Sequence, residues 1–204
     1  MTESDNPLRG ARFVLAAHEP RHLPKDAGVE IAFAGSSNAG KSSALNTLVG
    51  HAALARTSKT PGRTQQIVVF ELSNGARLID LPGYGYAKVP ASTREHWHQA
   101  IDAYLRKRQS LRGLVLIADV RHALKEYDRQ MLRFCVGIDL PCIVLLSKAD
   151  KLSRAQALAA QRKVQTEIAK TGCSAAAILF SATTGAGAQE ARMAAAALLG
   201  MPDA

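Results

Sequence analysis

Residues 35–43, GSSNAGKSS, combine residue types and a spacing that suit the binding of a phosphate chain. They match the pattern G-x-x-x-x-G-K-[ST], with Gly35, Gly40, Lys41 and Ser42 in its fixed positions. Glycine allows the backbone to turn its N–H groups toward phosphate oxygens. Lys41 can reach the β- and γ-phosphates, and the Ser42 hydroxyl can ligate Mg²⁺. The sequence therefore predicts a nucleoside triphosphate site with a phosphate loop that consists of Gly35, Ser36, Ser37, Asn38, Ala39, Gly40, Lys41 and Ser42.

A second segment, DLPG at 80–83, contains groups that could face the same phosphates. Asp80 lies near the end of an apolar run, and Gly83 follows three residues later. A carboxylate at the carboxyl end of a strand beside a phosphate loop can hold Mg²⁺ through water. The Gly83 N–H can contact the γ-phosphate. We therefore expect Asp80, Leu81, Pro82 and Gly83 to border the nucleotide.

A third segment, LLSKAD at 145–150, indicates which base is bound. It resembles the [NT]-K-x-D element of GTP-binding proteins, although Ser147 stands in place of Asn or Thr. Asp150 can accept hydrogen bonds from guanine N1–H and the exocyclic amine, whereas adenine would leave the carboxylate unpaired. Polar mismatches of this kind can discriminate by about 10⁴. FSATT at 180–184 resembles the S-A element that faces guanine O6. The predicted base contacts are Ser147, Lys148, Ala149, Asp150, Phe180, Ser181 and Ala182.

The three segments follow apolar runs that alternate with helical patterns, which is typical of an α/β sheet with helices on both faces. The runs that predict buried parallel strands are 29–34, 113–120, 141–147 and 175–181. The runs 66–72 and 76–81 flank SNG, which predicts an antiparallel hairpin. Helical patterns cover about 40–49 and 92–109.

The composition indicates a cytoplasmic protein with an anionic partner. The chain has 204 residues and a formal net charge of +9, which favours a nucleic acid or ribonucleoprotein as partner ahead of an anionic membrane. The alternative is a basic surface without a partner. Its three cysteines form no Cys-x-x-Cys pair, so neither a disulfide framework nor a zinc site is expected. No apolar run approaches the ~18 residues of a membrane span, and the first residues lack the apolar core of a signal peptide.

In their order from 35 to 182 these elements resemble those of the translation-factor-related small GTPases. The stretches GSSNAGKSS, KTPGRTQ, DLPGYGYA and SKADKL are similar to the EngB (YihA/YsxC) family, within the TrmE-Era-EngA-YihA-septin-like superfamily. That resemblance implies a bacterial GTPase that acts in large ribosomal subunit assembly and is needed for normal cell division and septation. We therefore expect the large ribosomal subunit or its precursor, with its ribosomal RNA, as the partner, and neither DNA binding nor a membrane span. A monomer is expected.

The resemblance also implies a P-loop GTPase (Ras-like) fold. Its sheet is expected to be mostly parallel and six-stranded, with one antiparallel strand. Residues 25–204 would form an EngB-type G domain. Residues 1–24 would be an N-terminal extension, in which RFVLAA could add an edge strand.

Two loops are expected to respond to the γ-phosphate. In SKTPGRTQQ, Thr64 aligns with the threonine that ligates Mg²⁺ in the GTP state, and Thr60 is the local competitor for that role. The nucleotide-facing residues predicted in this first switch are Gly62, Arg63, Thr64, Gln65 and Gln66. Residues 83–90, GYGYAKVP, would form the second switch. The predicted Mg²⁺ ligands are Ser42, Thr64 and, through water, Asp80.

Catalytic assistance is the open question. Many GTPases place a glutamine after D-x-x-G to orient the attacking water, and Tyr84 occupies that position. Slow intrinsic hydrolysis is therefore expected, with Lys41, Thr64, Gly83 and Asn38 as the candidate catalytic residues. Several relatives use an asparagine at the position of Asn38 to ligate K⁺ beside the phosphates. The alternative is that Asn38 only stabilises the loop.

Two other functions remain as alternatives. One is a GTP-dependent RNA-binding or ribosome-binding module with negligible hydrolysis, which the missing glutamine and the basic charge would suit. The other is a small-molecule kinase, against which the guanine-type SKAD segment argues. If ribosomal RNA is the partner, the basic stretches 12–25 and 104–112, together with Arg63, are the first candidates for phosphate contacts.

Overall fold

The computed structural model describes residues 6–55, 66–84, 91–122 and 124–201, with only the backbone of residues 91–98. The strands are β1 (Arg12–Ala17), β2 (Glu30–Gly35), β3 (Ile67–Glu71), β4 (Arg77–Asp80), β5 (Leu111–Asp119), β6 (Cys142–Ser147) and β7 (Ala177–Leu179). The α-helices are α1 (Lys41–Val49), α2 (Ala91–Lys107), α3 (Glu126–Gly137), α4 (Arg154–Lys170) and α5 (Ala188–Leu198).

The strands form one sheet in the order β1-β3-β4-β2-β5-β6-β7. Pairing is parallel from β4 through β2, β5 and β6 to β7. Strand β3 pairs antiparallel with both β4 and β1. Within the described ranges, β3 is thus the one strand that runs against the others. The predicted P-loop GTPase sheet is confirmed, and β1 adds a seventh strand at its edge. The predicted division of the chain at residue 24 stays a prediction.

The sheet is buried on both faces, as a parallel sheet requires. Side chains of α1 and α5, such as Leu45 and Ala191, pack with one face of β2. Side chains of α2, α3 and α4, such as Leu132 and Ile168, pack with the other face. All six residues of β2 are buried, which explains why its sequence is a continuous apolar run after Glu30. Among the described helices, none is long and apolar enough to cross a membrane.

The hairpin between β3 and β4 confirms the prediction from SNG. The Gly75 N–H donates to the Leu72 carbonyl, and the Leu72 N–H donates to the Ala76 carbonyl. Gly75 has a φ of +82°, a conformation that glycine adopts without strain. The two strands are therefore held in register, with Val68 opposite Asp80.

A buried carboxylate joins the elements at the amino-terminal end of β2. Glu30 is fully buried and accepts hydrogen bonds from the Tyr104 hydroxyl at 2.8 Å and from Arg108 Nε at 2.8 Å. Arg77 Nη1 lies 3.3 Å from the same carboxylate. Both arginines also donate to backbone carbonyls between residues 24 and 27. This Glu30 cluster fastens the end of α2 and the N-terminal segment to the start of the central strand.

Candidate functional site: a nucleotide-binding edge of the sheet

The phosphate loop connects β2 to α1. Gly35 ends β2 and approaches β5 so closely that a Cβ atom there would lie 2.6 Å from the Ile117 carbonyl oxygen. Gly40 precedes α1 with a φ of +92°. Both glycines are therefore required by the path of the chain. The loop ends at the amino terminus of α1, where free N–H groups and the helix dipole favour an anion.

The two charged groups predicted on the phosphate side are brought together. Asp80 ends β4 beside Phe33 of β2, which places its carboxylate under the phosphate loop. Lys41 Nζ donates to Asp80 Oδ1, and both side chains are buried. A basic group and a carboxylate thus meet where triphosphate oxygens and a divalent ion would have to be held.

The segment that contains Gly83 runs along the phosphate loop. Tyr84 N–H donates to the Gly35 carbonyl at 3.3 Å, and Ser37 N–H donates to the Tyr84 carbonyl at 2.9 Å. Ser36 and Tyr84 form a parallel bridge. Gly83, the residue before Tyr84, therefore lies beside the loop, and its contact with a γ-phosphate stays a prediction.

Ser147 connects the base side to the phosphate loop. It ends β6, and its hydroxyl donates to the Ala39 carbonyl of the loop. The same hydroxyl lies 3.1 Å from the Ala118 carbonyl of β5. Ser147, which stands in place of the usual Asn or Thr, therefore bonds through its hydroxyl to the backbone of the phosphate loop.

Lys148 spans the gap between the phosphate loop and the end of β5. Its Nζ donates to the Asn38 carbonyl at 2.7 Å and forms an ion pair with Asp119 Oδ2 at 2.9 Å. Its backbone is left-handed, with a φ of +60°. This geometry stretches the lysine stem across the region where a base would stack.

Asp119 and Arg121 are site residues that the sequence reasoning missed. Arg121 binds both oxygens of Asp119, at 2.9 and 2.7 Å. Burial raises the pKa of the Asp119 carboxyl, but the hydrogen bonds from Arg121 and Lys148 outweigh it and hold that pKa well below its usual range. The available signal was ADVR, an acid at the end of a buried strand, the same signal that identified Asp80.

Asp150 is held in a fixed orientation by the neighbouring loop. The buried Ser181 hydroxyl donates to Asp150 Oδ1 at 2.7 Å, and Lys151 Nζ lies 3.1 Å from Oδ2. The Ser181 hydrogen bond, followed by that from Lys151, lowers the pKa of the Asp150 carboxyl. Ala149 N–H also donates to the Phe180 carbonyl at 3.0 Å, which joins the two loops. The result is an ionised acceptor on a supported loop.

Other predicted residues are exposed, have partners within the protein or lie outside the described ranges. Ala182 is exposed beside Ser181, while Leu81 is buried and donates to the Phe33 carbonyl. The Gln66 amide lies 2.9 Å from the His18 ring. Outside the described residues are Thr60, Gly62, Arg63, Thr64, Gln65 and the second-switch positions 85–90. Within the described part of the chain, no three His, Cys, Asp or Glu side chains group to hold a metal.

The phosphate loop follows a buried parallel strand, and Ser147 and Lys148 bond to its backbone. The same segment continues to Asp150, the predicted guanine acceptor. This arrangement places the chain among the P-loop GTPases. A family model described as "50S ribosome-binding GTPase" matches residues 30–148. The chain belongs to the EngB family of GTP-binding proteins, and the family resemblance inferred from its motifs is thereby confirmed.

Individual relatives extend over nearly the full chain. The "probable GTP-binding protein EngB" of Stenotrophomonas maltophilia is 54% identical over 91% of this chain and 93% of its own length. That of Xanthomonas euvesicatoria is 51% identical over 95% and 94%. A crystal structure of a probable GTP-binding protein EngB shares the fold, with a TM-score of 0.67 and 24% identity over 84% of this chain and 98% of that one. Era in complex with MgGDPNP and a 16S ribosomal RNA segment gives a TM-score of 0.63 at 21% identity, over 86% and 57%.

Proposed function

We propose that this protein is a cytoplasmic, monomeric GTPase that hydrolyses GTP as a switch during assembly of the large ribosomal subunit. Through that role it would be needed for normal cell division and septation. The observation that carries the nucleotide assignment is the Asp150 carboxylate, oriented by Ser181 at 2.7 Å next to a lysine that reaches the phosphate loop. The family model, described as ribosome-binding, supports the partner.

Mg²⁺ fits the donors at the phosphate end. Ser42 is the second residue of α1, directly after Lys41, and Lys41 contacts Asp80, so a hydroxyl and a carboxylate are available. Mg²⁺ prefers oxygen ligands and completes its shell with phosphate oxygens and water. When bound, the ion would neutralise charge on the β- and γ-phosphates. We propose Ser42 as its direct protein ligand, together with Thr64, and Asp80 as a ligand through water.

Ser42→Ala should make GTP binding insensitive to Mg²⁺, because it removes the hydroxyl that would ligate the ion. The backbone N–H groups that would bind the phosphates remain. The loss in the presence of Mg²⁺ should be on the order of tenfold. Titration calorimetry with and without EDTA measures this effect. Ser43→Ala is the matched control, because it removes a neighbouring hydroxyl. A Ser42→Ala protein that keeps the wild-type Mg²⁺ dependence would show that Ser42 is not a ligand.

Ribosomal RNA is the polyanion that best suits the charge of the chain. The net charge is +9, and the structurally similar Era was crystallised with a ribosomal RNA segment. Two arginines of the stretch 104–112 already have partners within the protein, so they are poorer candidates for RNA contacts. Arg108 forms an ion pair with Glu30. Arg106 pairs with Asp102 and lies over the Phe134 ring. Within 104–112, Lys107 and Arg112 remain exposed and are the better candidates for phosphate contacts.

Association with large ribosomal subunits should require GTP and should weaken steeply with salt. Counterion release from RNA gives the salt dependence, and the γ-phosphate-dependent switch loops give the nucleotide dependence. Co-sedimentation with purified subunits in GDP and in a non-hydrolysable GTP analogue, across a salt series, measures both. Equal binding in the two nucleotides would contradict a switch and would leave a constitutive RNA-binding protein.

K⁺ should accelerate hydrolysis over Na⁺ on the order of tenfold, because a cation beside the phosphates would offset transition-state charge. The unassisted rate is expected near 10⁻⁴ s⁻¹. Asn38 is exposed with a φ of +64°, so Asn38→Gly removes the side chain without straining the loop. That variant should lose the K⁺ effect and keep its GTP affinity. Identical phosphate-release rates in K⁺ and Na⁺ would leave Asn38 with a purely structural role.

A GTP-dependent RNA-binding module with negligible hydrolysis is the second candidate. It is favoured by Tyr84, whose hydroxyl is bonded to Asp128 and so cannot orient a water at the phosphates. Multiple-turnover phosphate release in the presence of ribosomal subunits separates the two functions, because only the GTPase would show turnover.

A further inference from the structure

Tyr84 follows Gly83 directly, and its side chain is hydrogen-bonded to helix α3. Only 7% of Tyr84 is exposed, and its ring packs in the cluster formed by α2, α3 and α4. Its hydroxyl donates to Asp128 Oδ1 at 2.6 Å. Asp128 lies in the first turn of α3 and is itself 2% exposed. A hydrogen bond between two buried groups at this distance fixes the ring with respect to α3.

The start of α3 is itself a fixed point. The second carboxylate oxygen of Asp128 accepts from the Lys125 N–H at 2.8 Å, which caps the helix. The Lys125 side chain reaches the phosphate loop, with Nζ 3.3 Å from Ser36 Oγ. The helix that holds the Tyr84 hydroxyl is therefore also bound to the loop that Tyr84 runs beside.

The backbone of Tyr84 is held on the opposite side. Its N–H and carbonyl bond to Gly35 and Ser37 of the phosphate loop. Tyr84, at the end of the DLPGY segment, is thus held by hydrogen bonds both on its backbone and on its side chain. Gly83 lies between this held residue and Asp80, which ends β4, so its position beside the loop is determined from both ends.

We propose that Tyr84, at the position where many GTPases have a glutamine, is a positioning residue that anchors Gly83. By bonding to Asp128 it holds Gly83 against the phosphate loop, so that the Gly83 N–H is in place for a γ-phosphate before GTP arrives. A donor that is already oriented loses less entropy on binding. The anchor therefore contributes to GTP affinity and not to GDP affinity. This inference rests on the proposed function, because it presumes that GTP is the ligand.

Tyr84→Phe tests the anchor, since it removes one hydroxyl and keeps the ring. The affinity for a non-hydrolysable GTP analogue should fall by about 5- to 10-fold, the equivalent of one typical hydrogen bond, while GDP affinity stays unchanged. Titration calorimetry measures both. Amide hydrogen exchange without nucleotide should increase at Tyr84 and stay unchanged at Lys125, whose bond to Asp128 is retained.

Tyr104→Phe is the matched control. Tyr104 is also buried, and its hydroxyl donates to a buried carboxylate, Glu30, at 2.8 Å. That bond lies at the amino-terminal end of β2, away from the phosphate loop. The control should leave both nucleotide affinities unchanged. If it weakened the analogue as much as Tyr84→Phe does, the effect would be a general loss of stability and the proposal would be wrong.

The remaining outcomes are also decisive. Unchanged analogue binding by a folded Tyr84→Phe protein overturns the anchor while leaving GTP binding intact. A wild-type protein that binds neither nucleotide overturns the proposed function itself. Asp128→Asn is the second variant if Tyr84→Phe does not fold, because an amide oxygen can still cap Lys125. With the amide oxygen on Lys125, an NH₂ donor replaces the carboxylate oxygen that accepts from Tyr84. Analogue affinity should therefore fall in the same direction without a change for GDP, and an unchanged affinity would overturn the anchor.

Discussion

Asp150→Asn should weaken GTP binding and improve binding of xanthosine triphosphate, with a change in relative preference of about 10⁴-fold. The carboxylate accepts two hydrogen bonds from guanine, whereas an amide presents a donor to one of those groups. The 2-oxo group of xanthine can accept from that donor. Ser181 would still orient the side chain, because its hydroxyl can bond to the amide oxygen. Competition binding with the two triphosphates measures the preference.

The matched control for this change is Asp139→Asn. Asp139 is exposed and has a φ of +53°, a conformation that asparagine tolerates well. It lies before β6, at the opposite end of that strand from Ser147. The control should bind GTP as the wild-type protein does. Unchanged GTP binding by Asp150→Asn would mean that the base is held elsewhere.

Glu30→Ala should reduce the free energy of unfolding by about 3–5 kcal/mol, the usual cost of removing one partner from a buried ion pair. Arg77 and Arg108 would keep their buried charges without the carboxylate, and the Tyr104 hydroxyl would lose its acceptor. Urea unfolding at equilibrium, followed by circular dichroism, measures the difference.

An exposed ion pair provides the comparison for Glu30. Glu71 pairs with Arg12 at 2.7 Å, with the arginine side chain 76% exposed. Glu71→Ala should cost no more than about 1 kcal/mol. If the two glutamate variants had equal free energies of unfolding, the Glu30 cluster would contribute no more to stability than an exposed ion pair, and the prediction would be wrong. GTP affinity below the unfolding transition should be unchanged in both.

The meeting of the candidate site residues at one edge of the sheet could largely be predicted from sequence. Lys41, Asp80, Asp150 and Ser181 each lie in a short motif that follows an apolar run. The alternation of strands and helices places the carboxyl ends of parallel strands at one edge, so the motifs had to meet there. The hairpin and the parallel strands could also be inferred, because local turn chemistry and apolar runs carry that information.

The partners of buried polar groups were decided only by the tertiary structure. Tyr84 could be recognised as a residue that replaces glutamine, but its bond to Asp128, 44 residues away, has no local signal. Arg108 belonged to a stretch proposed for RNA, and packing placed it on Glu30 instead. A buried polar group must find a partner, yet which one it finds depends on the distances that packing sets between elements far apart in the chain.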